Sequence, residues 1–290
     1  MPESLPAALR PQIEMLLGGA VTSAARLAGG DINDVWRLGT VRGDTLLKAS
    51  RRRLPNPFSA EAAGLESLRA ATPLTVPAVT SHGDAPGGWA YLLLEYLPPA
   101  PDTPATQEAL GRGLAALHRT PAPGFGGTAP NSFGRLEQVN GAEENAASFF
   151  WNQRLAPQMH LADRHLSTAD HARFEALRSR LGTLIPPEPP ALVHGDLWHG
   201  NVLSTVRGPA LIDPAAAYSH REVDIALLHL FGSVPERVMA AYQEAYPLTP
   251  GWRERLALWN LYPLLAHLNM FGEGYLGRVR AALEAAITRG

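Results

Sequence analysis

Cysteine is absent from the 290-residue chain, which excludes a disulfide framework, a thiolate metal site and a cysteine nucleophile. Neither sign of charge dominates. Lys and Arg number 25 against 27 Asp and Glu, a net charge of −2, so the basic excess of a general nucleic-acid or anionic-membrane binder is missing. There is no run of about eighteen uncharged apolar residues, and no membrane-spanning helix is expected. Met1–Gly19 carries Glu3, Arg10 and Glu14 and lacks the apolar stretch of a signal peptide. These absences point to a cytoplasmic protein. Apolar residues are plentiful at 46%, enough for a sizeable core, and the 27 Gly and 26 Pro follow no G-X-Y period. At about 150 residues per domain, the length suits one large or two modest domains.

The first third reads as strands with one helix. Val21–Ala28 and Ile32–Leu38 flank Gly29-Gly30-Asp31, and Asp44–Ala49 follows a Gly43-Asp44 turn, the pattern of an antiparallel meander. Phe58–Ala70 has apolar residues at 58, 62, 65 and 68, one face of a helix. Val76–Val79 and Trp89–Leu94 are predicted as two more strands, separated by the turn-rich Ser81–Gly88. Pro98-Pro99-Ala100-Pro101 is the candidate linker or hinge. Beyond it the pattern is mostly helical, with helices predicted over Thr106–Arg119, Ala142–Leu161, Thr168–Leu184, Glu222–Leu230, Pro235–Ala245 and Trp252–Phe271. Gly124–Asn140 is loop by composition. Within Leu192–Asp213 two short apolar runs enclose a polar loop. The expected fold class is α+β and two-lobed: residues 1–97 form a small antiparallel five-stranded lobe with one main helix, and residues 98–290 a larger helical lobe, with a cleft between them.

The densest chemical signal is His194-Gly195-Asp196-Leu197-Trp198-His199-Gly200-Asn201, followed by Asp213 at the end of the next apolar run. Phosphoryl transfer to a hydroxyl needs a carboxylate to accept the proton and hard oxygen ligands to hold Mg²⁺ against a triphosphate. Asp196 and Asn201 are five residues apart, the Asp-to-Asn spacing of a kinase catalytic loop. Taken singly, these residues could equally cap turns; the ordered set is far harder to obtain by accident. Lys48 in the third strand and Glu61 early in the following helix suit a buried lysine held by a carboxylate, although such a pair could also be a surface ion pair worth little. Gly29 and Gly30 lie where bare backbone N–H groups can approach phosphate, or simply where a hairpin turns. Leu92–Leu97 ends the fifth strand just before the prolines, where a hinge would present backbone groups to adenine. The ten histidines show no zinc-binding spacing. His194 is expected to stiffen the catalytic loop through hydrogen bonds, and His118 to be structural.

Taken together, GGDIN (29–33), LLKAS (46–50), EAAGLESL (61–68), LLLEYL (92–97), HGDLWHGN (194–201), LIDPA (211–215), REVDIALLHLFG (221–232) and HLNMFGEGY (267–275) resemble the fructosamine kinase (ketosamine-3-kinase) family. That family lies within the aminoglycoside-phosphotransferase-like, protein-kinase-like superfamily. The resemblance implies ATP- and Mg²⁺-dependent phosphorylation of the C3 hydroxyl of a ketosamine, after which the 3-phosphate eliminates and frees the amine, a repair of glycated lysines. It implies Asp196 as catalytic base, Asn201 and Asp213 as Mg²⁺ ligands, Lys48 on the phosphates with Glu61 as its partner, and Gly29 and Gly30 near the nucleotide. The Glu95, Tyr96 and Leu97 backbone would form the adenine hinge, and Trp198 would pack against the sugar. His199 stands where the family more often has a small polar residue, and 131–138 only loosely follows the family's Gly-Ser-x-Pro-Gln segment, so both bear on acceptor choice. The alternatives are an aminoglycoside or choline acceptor, the latter needing an aromatic cage to which Trp198, Tyr218, Trp252 and Trp259 could contribute, or a nucleotide-binding pseudokinase.

Overall fold

The computed structural model describes residues 5–27, 33–51 and 57–289. The chain opens with α1 (Arg10–Leu17), β1 (Ser23–Arg26), β2 (Asp34–Thr40), β3 (Gly43–Ser50), α2 (Pro57–Ala71), β4 (Val79–Ala85) and β5 (Trp89–Glu95). The five strands form one antiparallel sheet in the order β1-β2-β3-β5-β4. Strand β5 is buried from Trp89 to Leu94 because both its faces are covered. Ala90, Leu92 and Leu94 pack with Phe58, Leu65 and Leu68 of α2, while Trp89, Tyr91 and Leu93 pack with Leu9 and Ile13 around α1. The same alternation on β3 sends Leu47 and Ala49 to the α1 side and leaves Lys48 on the side of α2, where Glu61 meets it.

The second lobe follows with α3 (Pro104–His118), a hairpin of β6 (Asn131–Phe133) and β7 (Leu136–Gln138), α4 (Ala146–Phe150), a π turn at Trp151–Leu155, α5 (Ala156–Leu161), α6 (Thr168–Arg178) and α7 (Leu181–Leu184). Then come β8 (Ala191–Val193), the hairpin β9 (Val202–Thr205) and β10 (Gly208–Leu211), and β11 (Ala217–Ser219), which pairs with β8. Helices α8 (Glu222–Leu228), α9 (Glu236–Ala245), α10 (Trp252–Trp259), α11 (Leu261–Phe271) and α12 (Leu276–Arg289) complete the chain. No helix among the described residues is long and apolar enough to cross a membrane.

Several predicted elements are corrected. The fourth strand runs over Val79–Ala85 rather than 76–79 and occupies most of the segment read as turn. It is an edge strand whose residues alternate between half-buried and exposed, so it has no apolar run to announce it. The predicted helix over 252–271 is two helices that meet at Asn260. Pro263 has no N–H to continue an α-helix across that point but is tolerated in the first turn of α11. Pro157, in the first turn of α5, likewise sits just after the π turn that interrupts the predicted helix over 142–161. The segment 124–140 contains the β6–β7 hairpin. Pro98–Pro101 is stitched to the second lobe: Val206 N–H donates to Pro98 O (3.1 Å) and Ala100 N–H to Ser204 O (2.9 Å).

Candidate active site

Three elements converge on Lys48. Its Nζ lies 2.7 Å from Glu61 Oε1 and 2.9 Å from Asp213 Oδ1, and its side chain is only 5% exposed. Burial alone would lower its pKa, but the Asp213 and Glu61 carboxylates more than offset this and hold the ammonium charged. Glu61 is pushed upward by burial despite Lys48, with Asp213 adding repulsion. Asp213 is half-exposed. It is also the only non-glycine among the described residues at positive φ, at 55°. That conformation costs on the order of 1–3 kcal/mol and survives only where neighbours over-determine it.

The 194–201 loop, between β8 and β9, is tied down by a series of hydrogen bonds. His194 Nδ1 accepts from Asp196 N–H (3.2 Å), which leaves Nε2 protonated to donate to Ile212 O (2.8 Å). Burial lowers the His194 pKa and keeps the ring neutral. Ile212 N–H in turn donates to Asn201 O (3.1 Å), so the loop and the residue before Asp213 hold each other. Asn201 Nδ2 donates to Asp196 O (2.8 Å) and Oδ2 (3.2 Å), leaving Oδ1 as its available acceptor. Burial and the nearby Asp213 carboxylate push Asp196 up to about 7, against the Asn201 hydrogen bond, which lowers it. A carboxyl that titrates near neutrality is suited to proton transfer.

A residue given no role by the sequence reading anchors this loop. Asp224, fully buried on α8, accepts from the N–H groups of His194 (2.7 Å) and Gly195 (2.9 Å) and faces His118 Nε2 (3.2 Å). Its signal was a carboxylate inside the apolar run Val223–Leu228. His118, whose Nδ1 also meets Tyr242 Oη at 2.8 Å, is structural. Gly195 adopts φ +79°, and a Cβ there would come within 2.1 Å of Ala215 O, so the backbone beside Asp196 needs glycine.

The residues expected at the acceptor and nucleotide edges sit as follows. Trp198 is 41% exposed. Its ring lies over Gly200, where a Cβ would approach to 2.3 Å, and edge-on to Phe231 at 6.4 Å. His199 Nε2 bonds to Ser233 O (3.0 Å), which ties the loop to the segment after α8. Glu95 accepts from Ala78 N–H (3.2 Å) and pairs with Arg207 (2.9 Å), Tyr96 lies under the Arg37 guanidinium (4.6 Å), and Leu97 is buried. Gly29 and Gly30 lie outside the described residues. An aromatic cage from Trp198, Tyr218, Trp252 and Trp259 does not form. Trp252 is buried against His229, while Trp259 is buried against Phe150 and His220 and donates to Glu222.

Residues 8–289 match the model of the fructosamine kinase family. A probable ketoamine kinase of Enterococcus faecium is 39% identical, with 89% of this chain and 93% of that protein aligned. A crystal structure from Thermobifida fusca, assigned as a fructosamine-3-kinase, superposes with a TM-score of 0.88 at 35% identity, covering 97% of this chain and 98% of that one. Aminoglycoside phosphotransferase APH(4)-Ia, at 17% identity, shares the fold with a TM-score of 0.66 over 98% of both chains. With Lys48 held between Glu61 and Asp213, and Asn201 clamping Asp196, the chain belongs to the fructosamine kinase family of ATP-dependent phosphotransferases.

Proposed function

We propose that the chain transfers the γ-phosphoryl group of ATP to the C3 hydroxyl of a ketosamine, the adduct of a sugar with a free amine or a lysine side chain. The supporting observation is the Asp196 carboxylate, raised to about 7, clamped by Asn201 and set beside the Asp213–Lys48–Glu61 group. The names of the relatives support the acceptor class. In this reading Asp196 Oδ accepts the hydroxyl proton as the sugar oxygen attacks the γ-phosphorus and the bond to the bridging oxygen breaks, releasing ADP, while Lys48 holds the phosphates and Glu61 holds Lys48. The half-exposed carboxylate of Asp213 and the amide oxygen of Asn201 are hard donors of the type Mg²⁺ prefers, on one side of the cleft. Mg²⁺, when bound, neutralises charge on the transferring group. The exposed face of Trp198 gives the sugar's C–H groups an apolar surface beside the base. Residues 1–97, including the Glu95–Leu97 backbone, Gly29 and Gly30, serve the nucleotide, and 98–290 carry the base and the acceptor. The 3-phosphate product then eliminates and releases the amine, a deglycation.

The test is ATP consumption against ribulosamine, fructosamine, aminoglycoside and choline acceptors, with the phosphorylated position read by NMR. Phosphate on the ketosamine C3 oxygen is the expected result. Phosphate only on an aminoglycoside or choline hydroxyl, with ketosamines inert, removes the acceptor assignment and leaves the phosphotransferase chemistry intact.

A further inference from the structure

The segment that follows Asp213 is held from below by side chains far away in sequence. Asn131 Nδ2, from β6, donates to Ala216 O at 2.8 Å. Gln138 Nε2, from β7, donates to Ala215 O at 3.2 Å and to Asn131 Oδ1 at 2.8 Å. Tyr262 Oη, from α11, donates to Gln138 Oε1 at 2.7 Å, which fixes the way round that the amide must lie. Gln138 is 3% exposed and Tyr262 7%. Burial keeps the Tyr262 hydroxyl protonated and therefore a donor. Two consecutive carbonyls, two and three residues after Asp213, are thus each gripped by an amide of the same hairpin.

Core packing and a backbone bond from Ala215 N–H to His194 O (3.0 Å) also hold this segment, but the packing around it is incomplete. Gln138, Gly195, Ala215 and Tyr262 line a cavity of about 30 Å³, room for a water or two, into which Ala215 could relax. Asp213 is the residue with the reason to relax, because its left-handed backbone is strained. A loop carrying a metal ligand would lose its aim if the strain were released by even a small rotation.

We propose that Gln138 and Asn131, braced by Tyr262, are positioning residues that hold the Asp213 carboxylate in its metal-binding orientation. The β6–β7 hairpin is a built-in strut for the segment after the metal ligand. This rests on the reading of Asp213 as a Mg²⁺ ligand given above, and it assigns a task to two side chains of the 131–138 segment. Neither amide touches nucleotide or acceptor in this scheme. Their removal therefore changes the response to the metal and leaves acceptor recognition alone.

The test compares wild type with Gln138→Leu, which can neither donate nor accept, and with Tyr262→Phe, which removes only the bracing hydroxyl. The increase in Tm caused by the non-hydrolysable nucleotide AMP-PNP is measured with Mg²⁺ and with excess EDTA. The Mg²⁺ concentration for half-maximal turnover and the exchange rate of the Ala215 amide are measured alongside. Gln138→Leu is expected to raise the Mg²⁺ requirement about tenfold, the scale of one buried hydrogen bond. It should also lose most of the metal-dependent part of the Tm shift, with the metal-free part and the acceptor KM within about twofold of wild type. Tyr262→Phe should move the same readouts by about threefold, with faster exchange at Ala215. A folded Gln138→Leu variant with a wild-type Mg²⁺ response overturns the strut, as does an equal loss of nucleotide stabilisation with and without metal. If Gln138→Leu does not fold, a wild-type metal response and wild-type Ala215 exchange in Tyr262→Phe overturn it. Wild-type protein whose nucleotide binding ignores Mg²⁺ removes the metal site itself, and the strut falls with it.

Discussion

Two clusters of charge lie within this molecule, and they are balanced differently. Among the described residues, Lys48 is set against the carboxylates of Glu61 and Asp213, and Asp213 in turn acts on Asp196. Around α8 the carboxylates of Glu188 and Glu222 are matched one for one by Arg221 and Arg255. Arg221 Nη2 lies 2.9 Å from Glu188 Oε1, and Arg255 contacts both oxygens of Glu222 at 2.6 and 2.8 Å. Thr249 and Trp259 add hydrogen bonds to the same two acids. The consequences for protonation are opposite. Burial alone would raise Glu188, but Arg221 and Thr249 bring it down to about 2, whereas Asp196 is driven up to about 7. Glu188, His220 and Glu222 also have the spacing of a metal site. A divalent cation entering there would have to displace two guanidinium groups already in place. Excess negative charge leaves one cluster with carboxylates able to take up a cation or a proton; neutral balance leaves the other with its charges already satisfied.

The difference can be broken most severely at Asp213. Asp213→Ala removes a carboxylate that suits Mg²⁺ and should abolish turnover, with a modest fall in Tm, because alanine tolerates a positive φ less well than aspartate and the buried Lys48 loses one of its carboxylate partners. Turnover that survives, or persists in excess EDTA, contradicts the metal assignment.

Asp196→Asn keeps shape and most hydrogen bonding but no longer accepts a proton, so kcat should fall by about 10²-fold or more while nucleotide binding holds. Near-normal turnover takes Asp196 out of the mechanism. The balanced cluster should respond the other way. Arg255→Leu strands the buried Glu222 carboxylate at a cost of about 3 kcal/mol, roughly 6–10 °C in Tm, while kcat per folded molecule stays close to wild type. Calorimetry paired with active-fraction titration distinguishes the two behaviours.

Lys48→Ala and Glu61→Ala should each impair use of ATP. The double variant should lose less than the sum of the two, since they act as a unit. Additive losses in a double-mutant cycle would mean that the pair does not function as one.

The smallest effect is on pH dependence. Asp196 has a folded-state pKa above its unfolded value, so its contribution to stability is complete below about pH 4 and is lost as pH rises through about 7. Glu188 has a depressed pKa, so its contribution is present above its ordinary range and is lost as pH falls toward about 2. The Tm of Asp196→Asn relative to wild type should therefore rise between pH 5 and pH 8, and kcat/KM of the wild-type enzyme should gain an acidic limb near pH 7. A flat Tm difference across that range would remove the raised pKa.

Much of the cleft was legible one residue at a time. Lys48 interrupts an apolar strand, Glu61 follows it early in an amphipathic helix, and the Asp196–Asn201 interval is a local spacing that a short loop imposes on itself. The histidine roles were legible as well: His194 does stiffen the loop, and His118 is buried and bonded. Other features were partly visible. Val279, Leu283 and Ala286 repeat at helical spacing and are buried on α12, although that helix was not predicted. Asp224 stood out only as a polar residue in an apolar run.

The sequence alone determined the two-lobed α+β plan, the kinase-type loop and the absence of thiol chemistry. These depend on local periodicity and on intervals of a few residues, which the chain's own geometry converts into structure. Only the tertiary structure decided the left-handed turn at Asp213, the shared grip of Lys48 on Glu61 and Asp213, the anchoring of the 194–201 loop by Asp224, and the reach of Asn131 and Gln138 to Ala216 and Ala215. Each joins residues tens of positions apart or more, or sets a backbone angle that the residue would not choose by itself. A three-residue strand such as β6 or β7 carries too little periodicity to announce itself, and its meaning lies in the carbonyls it meets about 80 residues later in the chain.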